Sequence, residues 1–590
     1  MNRPLRIANC SGFYGDRLSA AREMVDGGPI DVLSGDWLAE LTMLILAKNR
    51  LRDPAGGYAR TFLTQMEQVM GTCLERGIKV VSNAGGLSPH GAAAGVAAVA
   101  DRLGLSPTIA YVEGDDLLAR LEELRGAGVR FDHMETGAPL GERDVMTANA
   151  YLGGWGIAEA LGRGADIVVT GRVTDAALAI GPAAWHHGWR RDDWDALAGA
   201  LVAGHVIECG AQATGGNYAF FGEVPDLTHP GFPIAEVAAD GSSVITKHPA
   251  QGGLVSVGTV TAQLLYEIGA QAYANPDVTA RFDTIRLSQE GPDRVRIDGV
   301  RGEPPPATTK VALNYQGGWR SSTTLYLTGL DIEAKAAVLQ AALWASIPGG
   351  RAAFAQVDEQ LLRTDQPDPP SFESALATLR ITVKDPDERK VGRAFSSKTT
   401  ELALANYPGL FGGGPATAAQ AYGVYWPAAI PAALVSQEVV IGAKRTVVEA
   451  VLSPTRTLDV SVPDVPAAPA APASPGGPTI RAPLGRLVGA RSGDKGGNAN
   501  LGVWAREPDA FGWLSRTLTV ERLRQLLPET RRLEIQRHDL ANLSALNFVI
   551  VGLLGEGVAS STRTDPQAKA LGEYLRAKLV DMPVALLGPR

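Results

Sequence analysis

The sequence predicts an α/β protein: a doubly wound, mostly parallel sheet, then a second mixed α/β region, then a small C-terminal α+β domain. Over residues 1–235, short β-branched runs alternate with helical stretches, which is typical of right-handed βαβ units. From 236 to 462, segments of alternating polarity indicate strands of a mixed sheet. Residues 463–483 are rich in proline and alanine, and they separate residues 484–590 from the rest.

Five apolar runs in the first domain predict its parallel strands. Because these runs are apolar on both faces, they suit a sheet that helices cover on both sides. The strands are predicted at 6–10, 31–33, 79–83, 108–112 and 166–170, and the helices between them at 36–50, 60–76, 90–104, 115–127 and 149–164. Strands of the second region are predicted at 255–260, 294–300 and 323–329.

The proline-rich segment predicts a spacer. Proline recurs every third residue from Pro463 to Pro478, a pattern that favours polyproline II over a packed core. The domain that follows holds 15 basic and 11 acidic residues, although the whole chain carries a net charge of −8. A positive module on a tether could dock on the acidic body or hold an anionic ligand; alternatively, its charge is scattered over the surface.

Composition excludes several classes of protein. With 45% apolar residues the chain can bury a core, and with a net charge of −8 and no polybasic run it is not expected to bind nucleic acid. Three widely spaced cysteines form no disulfide framework or zinc motif, which favours a reducing compartment. Because no apolar run approaches the ~20 residues that span a bilayer, we expect a cytoplasmic protein without a membrane partner.

Polar, glycine-rich loops follow the predicted parallel strands. Ligands of open α/β sheets bind at the carboxyl ends of the strands, so we expect these loops to form one site. The candidate residues are Asp36, Asn83, Gly85, Gly86, Arg172 and Asp175. An arginine at a helix N-terminus suits a carboxylate or phosphate. Each has a structural alternative: a helix cap for Asp36, a tight turn for the glycines, and a surface salt bridge between Arg172 and Asp175.

A helical stripe from Trp194 ends in a histidine and a carboxylate. His205 and Glu208 continue the spacing of Leu197 and Leu201, so they point where the core should be. The pair could act as general acid and base, with Glu208 raising the pKa of His205. Alternatively, it supplies two metal ligands or is a buried hydrogen-bonded pair. The loop that follows is built for close backbone contact and adds Gln212, Gly215, Gly216 and Asn217 as substrate-binding candidates.

The C-terminal domain has its own polar loop, residues 489–502. Arg491 and Lys495 lie there among glycines and suit an anion such as a carboxylate or a CoA phosphate. It is not a Walker A loop, because no Ser or Thr follows the lysine. The chain lacks GxGxxG, HExxH and GxSxG motifs and any metal-ligand array, so no redox cofactor or metal is predicted.

Together these motifs resemble the acyclic terpene utilisation protein A family. The resemblance runs through IANCSGFYGDR, SGDWLAELTM, SNAGGLSP, ADIVVTGRVTDAAL, GHVIECGAQATGGNY, HPAQGGLVSVGTVTAQLLYE and KVALNYQGGWR. The segments RSGDKGGNANLGV and TRTDPQAK are similar to the small ferredoxin-like domain that the family often carries. The resemblance thus covers nearly the whole chain and implies a setting in acyclic terpene catabolism through acyl-CoA thioesters.

We therefore expect a cytosolic enzyme of acyclic terpene or branched acyl-CoA catabolism. It would be of lyase or hydratase type and would use acid–base chemistry, hydration or C–C cleavage, on a carboxylate or an acyl-CoA. The expected catalytic residues are His205, Glu208, Asp36 and Asp175. The alternative is a non-catalytic binding or scaffolding partner of an acyl-CoA carboxylase or synthetase pathway. In either case we expect a homo-oligomer with a small-molecule ligand.

Overall fold

The computed structural model describes residues 3–452 and 477–587. Residues 463–476 of the predicted spacer lie outside these ranges, whereas Thr479–Pro483 is a strand that pairs with Leu579–Pro583. The described chain forms two compact units. The larger contains residues up to 314, 425–558 and those from 567 onward, and the smaller contains residues 315–424 and 559–566.

The larger unit is built on an eleven-stranded mixed sheet. Five adjacent strands are parallel: Leu5–Asn9, Val32–Gly35, Lys79–Ser82, Ile167–Thr170 and Ile109–Glu113. The first is flanked by the antiparallel strands Pro233–Val237, Ser243–Lys247, Arg294–Asp298 and Arg286–Gly291, and the last by Gln437–Ile441 and Lys444–Val448. The predicted α/β fold is therefore present, but the sheet is mixed and not mostly parallel.

The antiparallel strands follow from short connections. Two residues, Gly442 and Ala443, join the last two strands, and five residues join Pro233–Val237 to Ser243–Lys247. A parallel crossover needs about a dozen residues, so these connections permit only hairpins. Gly442 and Gly241 have φ of 58° and 83°, which suits glycine in such turns. The predicted boundary at 236 thus falls inside this sheet.

Helices cover the sheet on both sides of its parallel part. They are Ala20–Asp26, Glu40–Arg52, Arg60–Arg76, Pro89–Leu103, Leu121–Gly126, Trp155–Gly162, Ala177–His187, Trp194–Ile207 and Val257–Leu264. The larger unit also has the strand Val145–Ala150 and a three-stranded sheet of Ala272–Ala274, Thr279–Arg281 and Arg301–Glu303. Buried Trp37, Phe62 and Met66 anchor one of the two helical layers.

The smaller unit has its own sheet and core. Its strands are Gln356–Leu362, Leu376–Asp385 and Phe411–Gly412, and its helices are Ile332–Ser346, Glu388–Val391 and Arg393–Glu401. Two further strands, Thr308–Thr328 and Gln420–Pro431, have residues in both units. Leu339, Ile381 and Phe395 are buried in the core of this unit.

The C-terminal domain, residues 479–587, is an α+β domain. Its four-stranded antiparallel sheet has the order Val488–Lys495, Asn498–Ala505, Ala545–Ile550 and Ile535–Leu540. Its helices are Phe511–Thr517, Val520–Leu526 and Leu571–Arg576. Apart from residues 559–566, the domain belongs to the larger unit.

One face of this sheet packs on the segment 265–269 of the larger unit. A Cβ on Gly493 would lie 2.2 Å from the Tyr266 ring, and one on Gly502 would lie 2.4 Å from Leu265. Asn547 donates a 2.6 Å hydrogen bond to the Gly269 carbonyl. The glycines therefore permit the close approach, and the asparagine pairs backbone groups that the contact buries.

We expect Gly493→Ala and Gly502→Ala to destabilise the protein by about 1–3 kcal/mol each, because the added methyl overpacks this contact. Gly126→Ala is the matched control, since a Cβ there meets no atom within 4 Å. Thermal unfolding measures the difference. An unchanged midpoint in both variants would show that the C-terminal sheet does not pack closely on residues 265–269.

Candidate active site

The candidate loops open at one edge of the sheet. They follow the parallel strands Leu5–Asn9, Val32–Gly35, Lys79–Ser82 and Ile167–Thr170, whose carboxyl ends point the same way. Hydrogen bonds tie these loops together. Asn83 Nδ2 donates to Asp36 Oδ1 at 2.6 Å, and the Trp37 amide donates to Asn83 Oδ1 at 2.8 Å. Asn83 thus fixes the position of Asp36.

The Arg172 side chain lies at the centre of this edge. It is 3% exposed, and its NH1 donates to the Leu38 carbonyl at 2.7 Å. The same NH1 lies 3.1 Å from Asp175 Oδ1, and the guanidinium carbon lies 4.3 Å from the centre of the Tyr151 ring. In this ion pair Arg172 is buried and Asp175 is half-buried, so it is not the surface salt bridge of the alternative interpretation.

Asp36 and Asp175 are carboxyls that hold their protons unusually tightly. Burial raises the pKa of Asp36 to about 6, although Arg172 and Asn83 lower it. Burial likewise raises the pKa of Asp175 to about 7, and the negative charge of Asp36 opposes the lowering effect of Arg172. Asp36 is not the cap of the following helix, which begins at Glu40 after Ala39. Two neighbouring carboxyls that titrate near neutral pH can donate and accept protons.

His205 and Glu208 are buried at the end of the helix Trp194–Ile207, with Nδ1 of His205 3.3 Å from Glu208 Oε1. Burial lowers the pKa of His205 to about 4 and raises that of Glu208 well above its usual range. The sequence predicted that Glu208 raises the pKa of His205. This prediction is wrong, because burial disfavours the charged forms of both groups. His205 is therefore neutral near pH 7, and burial favours the protonated form of Glu208, which can donate a hydrogen bond.

In the loop after the helix Trp194–Ile207, one candidate residue contacts a charged group and the other three do not. Gln212 Oε1 accepts a hydrogen bond from Arg491. Asn217 is exposed, a Cβ on Gly215 would lie 3.0 Å from Val224, and one on Gly216 would lie 2.9 Å from the Ala211 carbonyl. Gly215 and Gly216 therefore serve the fold of their loop, and a role of these two glycines and of Asn217 in substrate binding stays a prediction.

Gly85 and Gly86 are also explained by packing. A Cβ on Gly85 would lie 2.5 Å from the Thr170 carbonyl oxygen, and one on Gly86 would lie 2.4 Å from Leu46. Gly86 also has a φ of 51°, which favours glycine. Both positions therefore need glycine for contacts within the protein.

The C-terminal domain adds one buried and one half-buried cation. Arg491 stacks on the Tyr266 ring at 4.1 Å, and Lys495 Nζ donates to the Glu267 carbonyl at 3.0 Å. Burial lowers the pKa of Lys495, and the positive charge of Lys310 adds to this effect. The charge of Lys495 in turn acts on His205 and Glu208. These residues and the loops at the sheet edge therefore form one electrostatic site.

Several charged and aromatic residues of the site were not singled out from the sequence: Glu40, Asp115, Tyr151, Tyr266, Glu267, Tyr273, Lys310 and Lys569. Although burial opposes it, Lys310 lowers the pKa of Glu40 to about 2, so this pair stays charged. Burial raises the pKa of Asp115 to about 7, and its carboxyl accepts from the Arg172 amide at 2.8 Å. Glu40, Tyr266 and Lys310 lie inside the motifs that carried the family resemblance, which is the signal that could have identified them.

Metal ligation finds no support in residues 3–452 and 477–587, where no three His, Cys, Asp or Glu side chains are placed to hold an ion. Burial raises the pKa of Cys209 well above its usual range, which keeps the thiol protonated and argues against a thiolate nucleophile. A separate cleft of about 590 Å³ contains none of the predicted site residues; it is lined by Trp155, Trp185, Trp189 and Arg191 among others. No helix in the described ranges has the length and apolar character needed to cross a membrane.

We expect Asp175→Asn to stabilise the protein by about 1–3 kcal/mol at pH 8. The pKa of Asp175 is raised in the folded state. Its favourable contribution to the free energy of unfolding is therefore complete below about pH 4 and is lost as the pH rises through about 7. The gain should therefore shrink between pH 8 and pH 5. Asp192→Asn is the control, because Asp192 is exposed and Arg190 lowers its pKa. Chemical unfolding at both pH values measures the effect, and a loss of stability at pH 8 would contradict it.

Comparison with known families bears on this site and on the whole chain. Residues 5–441 match the family described as acyclic terpene utilisation family protein AtuA, and residues 482–581 match the AtuA ferredoxin-like domain. Neither a curated protein nor a solved structure gave a match. The first family match covers well over half of the 590 residues and includes the loops that carry Asp36 and Arg172. This chain therefore belongs to the acyclic terpene utilisation AtuA family and carries its ferredoxin-like domain.

Proposed function

We propose that this protein is a cytosolic enzyme of acyclic terpene or branched acyl-CoA catabolism that uses acid–base chemistry on a carboxylate or an acyl-CoA thioester. The observation that carries the proposal is the pair Asp36 and Asp175, whose pKa values are about 6 and about 7. Between these pH values the two carboxyls together hold one proton. A protonated and an unprotonated carboxyl in one site can act as acid and base.

Hydration and C–C cleavage both need these two roles. In either reaction one group removes a proton from water or from the substrate, and another protonates the carbon or oxygen that receives the electrons. Asp36 supplies the base, because its pKa is the lower of the two and its carboxyl therefore loses its proton first. Asp175, whose pKa is the higher, supplies the acid. In its protonated form, which burial favours, Glu208 can donate a hydrogen bond to the carbonyl oxygen where negative charge develops.

Burial favours an enzyme over a scaffolding partner. His205 is fully buried, and Asp36, Arg172 and Glu208 are almost fully buried. A docking protein needs its recognition residues on the outside, whereas proton transfer benefits from a site that excludes water. The homo-oligomeric assembly stays a prediction, as does the use of acyl-CoA in preference to a free acid.

Proton chemistry can be detected without knowledge of the product. We expect the protein, incubated in D₂O with a panel of branched acyl-CoAs and free acids, to incorporate deuterium, add water or cleave at least one compound, as read by mass spectrometry. Asp175→Asn should lower that rate by about 10²–10⁴-fold, because it removes the acid. Asp192→Asn should leave the rate unchanged. Full activity in Asp175→Asn, or no proton exchange with any compound, would contradict the proposal.

A further inference from the structure

The C-terminal domain presents an ordered row of residues to the site. On the strand Val488–Lys495, side chains alternate between faces, so Arg491, Gly493 and Lys495 share one face. That face packs on the segment that contains Tyr266, whose ring occupies the space at Gly493. The strand therefore directs one cation to either side of Tyr266. At about 3.3 Å per residue, the two are too far apart along the strand to hold one small group.

Arg491 is a buried charge without a counterion. It is 5% exposed, and in the described ranges no carboxylate oxygen lies within 4.0 Å of its guanidinium. Its side-chain hydrogen bonds go to two neutral oxygens, the Gln212 side chain and the Ser492 carbonyl. A guanidinium stays charged in proteins, so this arrangement leaves the charge without a carboxylate in direct contact. The carboxyls of Glu267 and Asp494 act on the same Tyr266 ring, but in the described ranges neither forms an ion pair with Arg491.

Buried Arg172 and half-buried Arg537 differ from Arg491, because each has a carboxylate partner. Arg172 has Asp175 at 3.1 Å, and Arg537 of the same C-terminal domain donates to both carboxylate oxygens of Asp539, at 2.7 and 2.9 Å. An isolated buried charge is costly, which is why buried charges in proteins are paired or bind a ligand. Arg491 thus has the environment of a ligand-binding arginine.

The surroundings of Arg491 face the proposed reaction centre. Lys569 lies 4.4 Å from the centre of the same Tyr266 ring and donates to its hydroxyl. The charges of Arg491 and Lys569 both act on Cys209, the neighbour of Glu208 in the chain. An anion at Arg491 would therefore lie close to the groups that carry the acid–base chemistry.

We propose that Arg491 binds the anionic group of the substrate, so that the ferredoxin-like domain supplies the substrate-recognition half of the active site. The proposal rests on the function proposed above and specifies its substrate class: a compound with a carboxylate or phosphate positioned near the reacting carbon. A planar guanidinium with free N–H groups binds either anion in a bidentate manner. A neutral terpenoid alcohol or hydrocarbon would leave Arg491 unpaired and is excluded as a substrate.

The thermal stability of the protein without ligand distinguishes a ligand-binding arginine from a structural one. We expect Arg491→Gln to leave the thermal midpoint unchanged or to raise it, because it removes an uncompensated buried charge. Arg172→Gln, which removes the cation that acts on Asp36, Glu40 and Asp175 together, should lower the midpoint by several degrees. A clear fall of the midpoint in Arg491→Gln would overturn the proposal, since it would mean that Arg491 holds the fold together.

Ligand binding tests the recognition role directly and identifies the anion. Calorimetric titration of the full-length protein uses two probes, coenzyme A for phosphates and 3-methylbut-2-enoate for a carboxylate. We expect at least one to bind, with a loss of at least tenfold in affinity in Arg491→Gln, a smaller loss in Arg491→Lys, and no change in Arg537→Gln. The probe that loses affinity shows which anion binds. Binding of neither probe, or equal affinity in Arg491→Gln, would overturn the proposal.

The same titration keeps this proposal distinct from the proposed function. Asp175→Asn should bind the probes as tightly as the unaltered protein while it loses turnover. Loss of turnover in Asp175→Asn together with unchanged binding in Arg491→Gln would refute only the anion site. Arg491-dependent binding without any proton chemistry would refute only the enzyme.

Discussion

The buried guanidinium of Arg172 is the interaction on which the site depends. It spans the loops at the carboxyl edge, because its side chain contacts Leu38 and Asp175 while its backbone amide donates to Asp115. A charge that is 3% exposed needs such partners, so the arginine and the carboxyls constrain one another. Burial then favours the protonated forms of Asp36 and Asp175, and the resulting shift towards neutral pH is what makes proton transfer possible.

The C-terminal domain adds the second constraint. Its sheet approaches the larger unit closely only because Gly493 and Gly502 carry no side chain, and this approach brings Arg491 and Lys495 to Tyr266 and Glu267. Burial of charge without a counterion opposes stability, as is common where a protein binds a charged ligand. The domain is thus placed to act in recognition while the parallel strands carry the proton-transfer groups.

The sequence predicted the parts of this arrangement that follow from local pattern. The parallel strands, the loops with Asp36 and Arg172, and the family could be read from apolar runs and motifs, because strand polarity brings carboxyl ends to one edge. The antiparallel flanks were missed, since hairpins such as that at Gly442 depend on connection length. Lys310 and Tyr266 were missed although they lie in the family motifs. Long-range packing brings them to the site, and a local sequence pattern does not show such packing.

Infrared titration of the carboxyl groups would test the central claim most directly. With ¹³C-labelled aspartate, the protonated carboxyl band of the full-length protein should titrate between about pH 5 and 8, and Asp175→Asn should remove part of that signal. The account predicts this change because burial raises the pKa of Asp36 to about 6 and of Asp175 to about 7. If every aspartate is deprotonated by pH 5, or if the titration above pH 5 is the same in Asp175→Asn, the account is wrong.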